Sequence, residues 1–124
     1  MHDGLADVPG LMLPEATPNS DPSWFGFVIT VRPDAAYTRR ELCDFLESRK
    51  IATRRFFGGN LTRHPAYDGQ NFRIASDLTN SDIVTSDTFW IGVYPGLTEE
   101  MIDYMVSSIA EFAQRSSLSG VKAG

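Results

Sequence analysis

The stretch FFGGNLTRHPAY, residues 56–67, gathers the side chains of this sequence best suited to hold a ligand. Gly58 and Gly59 let a backbone approach a bound molecule closely, or simply turn the chain. Asn60 offers an amide donor and an amide acceptor. Arg63 can clamp a phosphate or carboxylate through two parallel hydrogen bonds, or sit in a surface ion pair. Arg54, upstream, has the same two options. His64 can act as a general base or as a hydrogen-bond partner for a ligand, or do no more than order Pro65. The glycines do not make a Walker loop, since the lysine and hydroxyl that should follow them are missing. Trp24, Tyr67 and Trp90 could stack on a sugar or base, but their spacing equally suits a core. No complete catalytic constellation is present, so the chain reads as part of a larger active site.

Bulk properties narrow the field. With 124 residues the chain suits one domain. A net charge of −5 argues against non-specific nucleic-acid binding. The local pairs Arg39-Arg40 and Arg54-Arg55 could still meet an anionic small molecule. Cys43 is the single cysteine, which excludes an intrachain disulfide and a cysteine-built metal or iron–sulfur site. Two histidines, His2 and His64, are too few for a multi-histidine metal site. No apolar run is long enough to span a membrane, and the N-terminus lacks the pattern of a signal peptide. A cytoplasmic location is the expectation.

These side chains need elements to position them. Residues 1–23 are rich in proline and acidic residues and read as an extended lead-in, with Asp3, Gly4 and Pro9 interrupting regular structure. Trp24–Val31 alternates as a strand, with Phe25, Phe27, Ile29 and Val31 on one face. Gly26 marks a close approach by another backbone or ring. Thr38-Arg-Arg-Glu41 is a capping box that opens a helix running to about Lys50, with Leu42, Cys43, Phe45 and Leu46 as its buried stripe. Ile51–Phe57 is a weaker strand. A short helical turn is expected over Leu78–Val84, capped by Thr79 or Asn80. The carboxylates Asp82, Asp87, Glu99 and Glu100 are assigned to caps, turns and solvation. Thr88–Val93 is a third strand. Thr98 caps a last helix with Ile102, Met105, Val106, Ile109, Phe112 and Ala113 at helical spacing and a Glu111–Arg115 pair. Residues 24–115 form the folded domain, and 116–124 are expected to be a disordered tail. The fold class is α/β (α+β): a small split βαβ-like sheet with helices on one face, the third strand lying between the first two and antiparallel to both.

Three stretches together carry a resemblance: LPEATPNSDPSWFGFVITV, IATRRFFGGNLTRHPAY and DLTNSDIVTSDTFWIGVYPGLTEEMIDYM. The chain resembles, over about residues 11–113, the C-terminal part of the pyridoxal-phosphate-dependent sugar aminotransferase/dehydratase family. The YPGLTEE turn is shared broadly in that family. GGNLTRHPAY points to the branch of nucleotide-diphospho-4-keto-6-deoxyhexose 3-dehydratases of lipopolysaccharide deoxysugar biosynthesis, where glutamine is commoner than His64.

The resemblance implies the small C-terminal domain of an aspartate-aminotransferase-like enzyme. A preceding large domain would hold pyridoxal or pyridoxamine phosphate and the catalytic base, and in some members an iron–sulfur cluster. Gly59, Asn60, Arg63, His64 and Arg54 would contact a nucleotide-sugar substrate, and the full-length enzyme would be a homodimer. Asn60 would meet a sugar hydroxyl or ketone, and Arg63 a phosphate or sugar oxygen. No catalytic, cofactor-anchoring or metal-binding residue is expected in this chain, nor turnover by the chain alone. No nucleic acid or membrane partner is expected. Three readings stand beside one another: the part of a 3-dehydratase or sugar aminotransferase that the resemblance implies, a free-standing βαβ ligand-binding or regulatory module, and a protein-interaction domain.

Overall fold

The computed structural model describes residues 1–120. Four strands form one sheet: β1 (Leu11–Met12), β2 (Gly26–Val31), β3 (Thr53–Arg55) and β4 (Thr88–Gly92), in the order β1-β2-β4-β3. Every neighbouring pair is antiparallel. β2 and β3 are therefore parallel to each other with β4 inserted between them, as the split βαβ pattern requires. The register Val28↔Trp90↔Arg54 puts these three residues on one face of the sheet, and Ile29↔Phe89↔Arg55 sets the other.

Four helices complete the fold: α1 (His2–Leu5), α2 (Arg39–Ser48), α3 (Thr79–Asp87) and α4 (Glu99–Gly120). The capping box at α2 is complete. Glu41 N donates to Thr38 Oγ1, and the Glu41 carboxylate accepts from Thr38 N at 2.8 Å. Thr98 Oγ1 likewise accepts from Met101 N at the start of α4. The core forms where α1, α2 and α4 cover one sheet face. Leu5, Ile29, Leu42, Leu46, Phe89, Ile91, Ile109 and Ala113 are fully or almost fully buried there. Arg49 ties the two long helices together through both oxygens of Glu111 at 2.9 Å, under the Phe45 ring.

Several expectations are corrected. Residues 1–23 are not merely extended. α1 packs on α4 and buries Leu5, while Leu11 pairs with Val31 as an edge strand. The apolar residues of that segment outweigh its local breakers once α4 offers them cover. The second strand shrinks to Thr53–Arg55, because Phe57 takes a positive φ of 47° and turns the chain away. Phe25 precedes the strand and escapes its alternation. It lies 5.1 Å from the Trp90 ring, on the face opposite the core. α3 is a nine-residue helix reaching Asp87, and Asp77 supplies the side-chain acceptor for Thr79 N in place of Thr79 or Asn80. α4 continues to Gly120, so the first five residues of the expected tail are helical. The rest of that tail, 121–124, lies outside the described residues.

Candidate functional site

The loop that follows β3 is built on α3. Gly59 has φ +58°, and a Cβ there would stand 2.4 Å from Thr85 Oγ1, so glycine is required for the loop to touch the helix. Asn60 N then donates to Thr85 Oγ1 at 2.6 Å. Two short 3-10 turns, Leu61–Arg63 and Pro65–Tyr67, carry the chain onward.

The side chains of the loop converge on Asp82. Asn60 Nδ2 donates to Asp82 Oδ1 at 2.7 Å, and Arg63 forks onto both carboxylate oxygens at 3.2 and 2.9 Å. These bonds, Arg63 foremost and Asn60 second, hold the Asp82 carboxyl below its ordinary range, and they raise Arg63 in turn. Asn60 Oδ1 accepts from the backbone N–H and hydroxyl of Thr62. The resemblance implies a sugar contact for Asn60. The fold instead buries it to 4% exposure and spends both ends of its amide inside the loop. His64 Nε2 lies 2.6 Å from the carbonyl of Gly58. A carbonyl only accepts, so Nε2 carries the proton and Nδ1 is the nitrogen left open. Among the described residues no carboxylate orients that ring, as a catalytic histidine requires.

Four of the five predicted residues thus form one clamp. Asn60 and Gly59 shape it, His64 closes it, and Arg63 presents an exposed guanidinium at its rim. Beside Arg63 an open groove of about 410 Å³ is lined by Thr62, Phe72, Ile74 and Asp77. Arg54 stands apart, on the sheet face beside Trp90. Tyr67 meets Phe72 edge-on at 6.3 Å. Asp82 and Thr85 were missed as site residues. They stand three apart on one helix face, a signal available once α3 is read past Val84. Another concavity, about 500 Å³, lies at the far end of β4 among Ile91, Leu97, Met101 and Met105, and holds none of the predicted residues.

The candidate loop, Gly58 to Tyr67, contains no lysine. Lys50 is exposed at the end of α2 with φ +64° and lines the concavity beside Ile91 and Leu97. Cys43 is half-buried, and that burial pushes its thiol up, away from nucleophilic character. No group of histidine, cysteine and carboxylate side chains that could hold a metal occurs among the described residues.

Comparison with known proteins identifies relatives of the chain. Over 117 residues the chain is 63% identical to a dTDP-4-dehydro-2,6-dideoxy-D-glucose 3-dehydratase of Saccharopolyspora spinosa, covering 94% of this chain and 25% of that protein. Over 102 residues it is 52% identical to the lipopolysaccharide biosynthesis protein RfbH of Salmonella typhimurium, covering 82% of this chain and 23% of that protein. Among solved structures, S. venezuelae DesV in complex with a ketimine intermediate superposes with a TM-score of 0.76 at 26% identity, over 91% of this chain and 29% of its own. The E. coli GDP-4-keto-6-deoxy-D-mannose-3-dehydratase with bound hydrated PLP shares the fold, with a TM-score of 0.77 at 23% identity over 87% and 28%. This chain spans about a quarter of the length of the curated relatives it matches. Residues 1–110 match the DegT/DnrJ/EryC1/StrS aminotransferase family, and the chain belongs to that family.

Proposed function

We propose that this chain is the C-terminal part of a pyridoxal- or pyridoxamine-phosphate-dependent enzyme that removes the C3 hydroxyl of a nucleotide-diphospho-4-keto-6-deoxyhexose. The observation that carries the reading is the 63% identity, over nearly the whole chain, to a 3-dehydratase of such a sugar. The cofactor supplies the electron sink for breaking a bond next to the carbonyl carbon. Its anchoring groups, the catalytic base and any iron–sulfur cluster belong to other parts of the enzyme. The enzyme is cytoplasmic and works as a homodimer.

In this reading the loop from Gly58 to Tyr67 borders the sugar cleft. Gly59 and Asn60 hold the loop's shape against α3. Arg63 faces the substrate and exchanges part of its bond to Asp82 for a substrate oxygen, and His64 offers Nδ1. Arg54 contributes charge from the neighbouring face. These groups bind and orient; none moves a proton at the reacting carbon.

The test is to incubate the complete enzyme with pyridoxamine phosphate and an NDP-4-keto-6-deoxyhexose and to follow the product by mass. Loss of the C3 oxygen supports the proposal. Transfer of an amino group to the sugar, with the C3 oxygen kept, would assign the chain to an aminotransferase instead. Arg63→Ala should raise KM for the sugar nucleotide by about tenfold with the thermal midpoint unchanged. An unaltered KM would remove Arg63 from the substrate site.

A further inference from the structure

The concavity at the far end of β4 lies between the C-terminal end of α2 and the first turns of α4. Thr53 pairs with Ile91 there, while Arg55, from which the candidate loop departs, pairs with Phe89 at the other end of the strand. The floor of the groove is Ile51, Ile91 and Met105, each almost fully buried. Its rim is open. Tyr94, Met101 and Tyr104 are 59%, 48% and 46% exposed. The two tyrosines are nevertheless held in place. Tyr104 Oη donates to the carbonyl of Arg49 at 3.1 Å and so joins the two walls. The Tyr94 ring lies on the turn that follows it, where a Cβ at Gly96 would stand 2.6 Å from its Cε2. Tyrosine and methionine are enriched in protein interfaces, and side chains already ordered lose little freedom when covered.

Each wall also carries a charge. Lys50 belongs to the α2 wall and Glu100 to the α4 wall, and both are exposed. They line one groove, yet no ion pair joins them, and neither has another ion-pair partner among the described residues. Arg49, beside Lys50, is engaged by Glu111. Lys50 sits one residue past the α2 cap at φ +64°, where glycine is the usual choice. Opposite charges held apart on facing walls complement the same groove turned through a twofold axis. In such a contact one residue meets a second on the other copy, and the second meets the first.

We propose that this groove is a face on which a second copy of the chain packs with twofold symmetry. Lys50 of each copy meets Glu100 of the other, around a centre of Tyr94, Met101 and Tyr104. A partner of one charge sign would answer only one wall, whereas a second copy answers both and covers the apolar rim between them. The candidate loop, at the other end of the sheet, stays uncovered. The proposal concerns the surface of this chain and rests on neither cofactor nor substrate.

The experiment is sedimentation velocity of the chain from about 5 to about 500 μM, with each variant's unfolding midpoint measured at the lowest concentration. A reversible monomer–dimer equilibrium is expected. K50E and E100K should each weaken the dimer about tenfold or more, and the double variant K50E/E100K should restore it, because the swap rebuilds both pairs. M101S, a change at an exposed position, should weaken association with its midpoint kept, and it decides the matter if a charge variant fails to fold. A monomer at every concentration would overturn the proposal, leaving the groove to another part of the enzyme or to a small apolar molecule. A dimer indifferent to the single charge reversals, or one that the swap does not restore, would overturn it as well. So would a dimer lost in F25S/F57S and kept in M101S, which would move the contact to the opposite face of the sheet. Association of this kind beside a failed dehydratase assay would keep the face and sink the enzymatic reading; the reverse pattern would sink the face alone.

Discussion

At the residue scale the candidate site turns on Asp82. It holds Arg63 and Asn60 at once, and through them it ties the loop to α3. Its folded pKa lies below the ordinary value of 3.8, so its contribution is complete above that value. The contribution is lost as pH falls through the lower, folded value. The loop should therefore keep its amide protection from neutral pH down to about 4 and lose it in stronger acid. The side-chain amide resonance of Asn60 reports this directly. In Asp82→Asn that acid transition should vanish, and exchange across Gly59–Arg63 should be faster even at neutral pH. An Asn60 signal that titrates identically in the variant would show that another carboxylate governs the loop. Sequence alone placed Gly59, Asn60, Arg63 and His64 together. It did not show that Asn60 faces inward, because an exposed-looking polar run says nothing of the helix it lies on.

At the element scale, what could be read early was what local physics fixes. The capping box at Thr38, the Thr98 cap and the apolar periodicity of α4 involve residues a few positions apart, and each is formed as read. The order of the strands followed from the handedness and packing of a split βαβ unit. What escaped depends on distant partners. β1 exists because Val31 and Thr30 present a free edge, and α1 because α4 gives Leu5 cover. Gly26 is the exception, a long-range feature that local sequence did reveal. A Cβ there would stand 2.3 Å from Cε3 of Trp90, so the indole lies flat across the β2 backbone. Gly26→Ala should push the ring off the sheet and cost about 1–3 kcal/mol by overpacking, read as a lower urea midpoint with altered tryptophan emission. An unchanged midpoint would mean that the ring moves freely and packs nothing.

At the scale of the whole molecule the sheet has a covered face and a bare one. α1, α2 and α4 cover the first. On the second, Phe25 and Phe57 are 73% and 70% exposed and lie 6.3 Å apart, with Trp24 and the Trp90 ring beside them. Nε1 of Trp90 is buried there and finds no acceptor among the described residues. Contiguous aromatic surface of this kind marks an interface more often than a free surface. The readings of this chain diverge here. In a free-standing module Phe25 and Phe57 contribute nothing, and the double change Phe25→Ser, Phe57→Ser leaves both stability and ligand binding intact. In the enzyme proposed above, this face packs against the rest of the protein. The same change should then weaken the complete enzyme by roughly 1.5–3 kcal/mol per ring while leaving the isolated chain's unfolding midpoint within a degree or two. Measuring both midpoints side by side separates the cases. Equal, small effects in the two contexts would leave the bare face as solvent-exposed surface and remove the aromatic cluster from the interface.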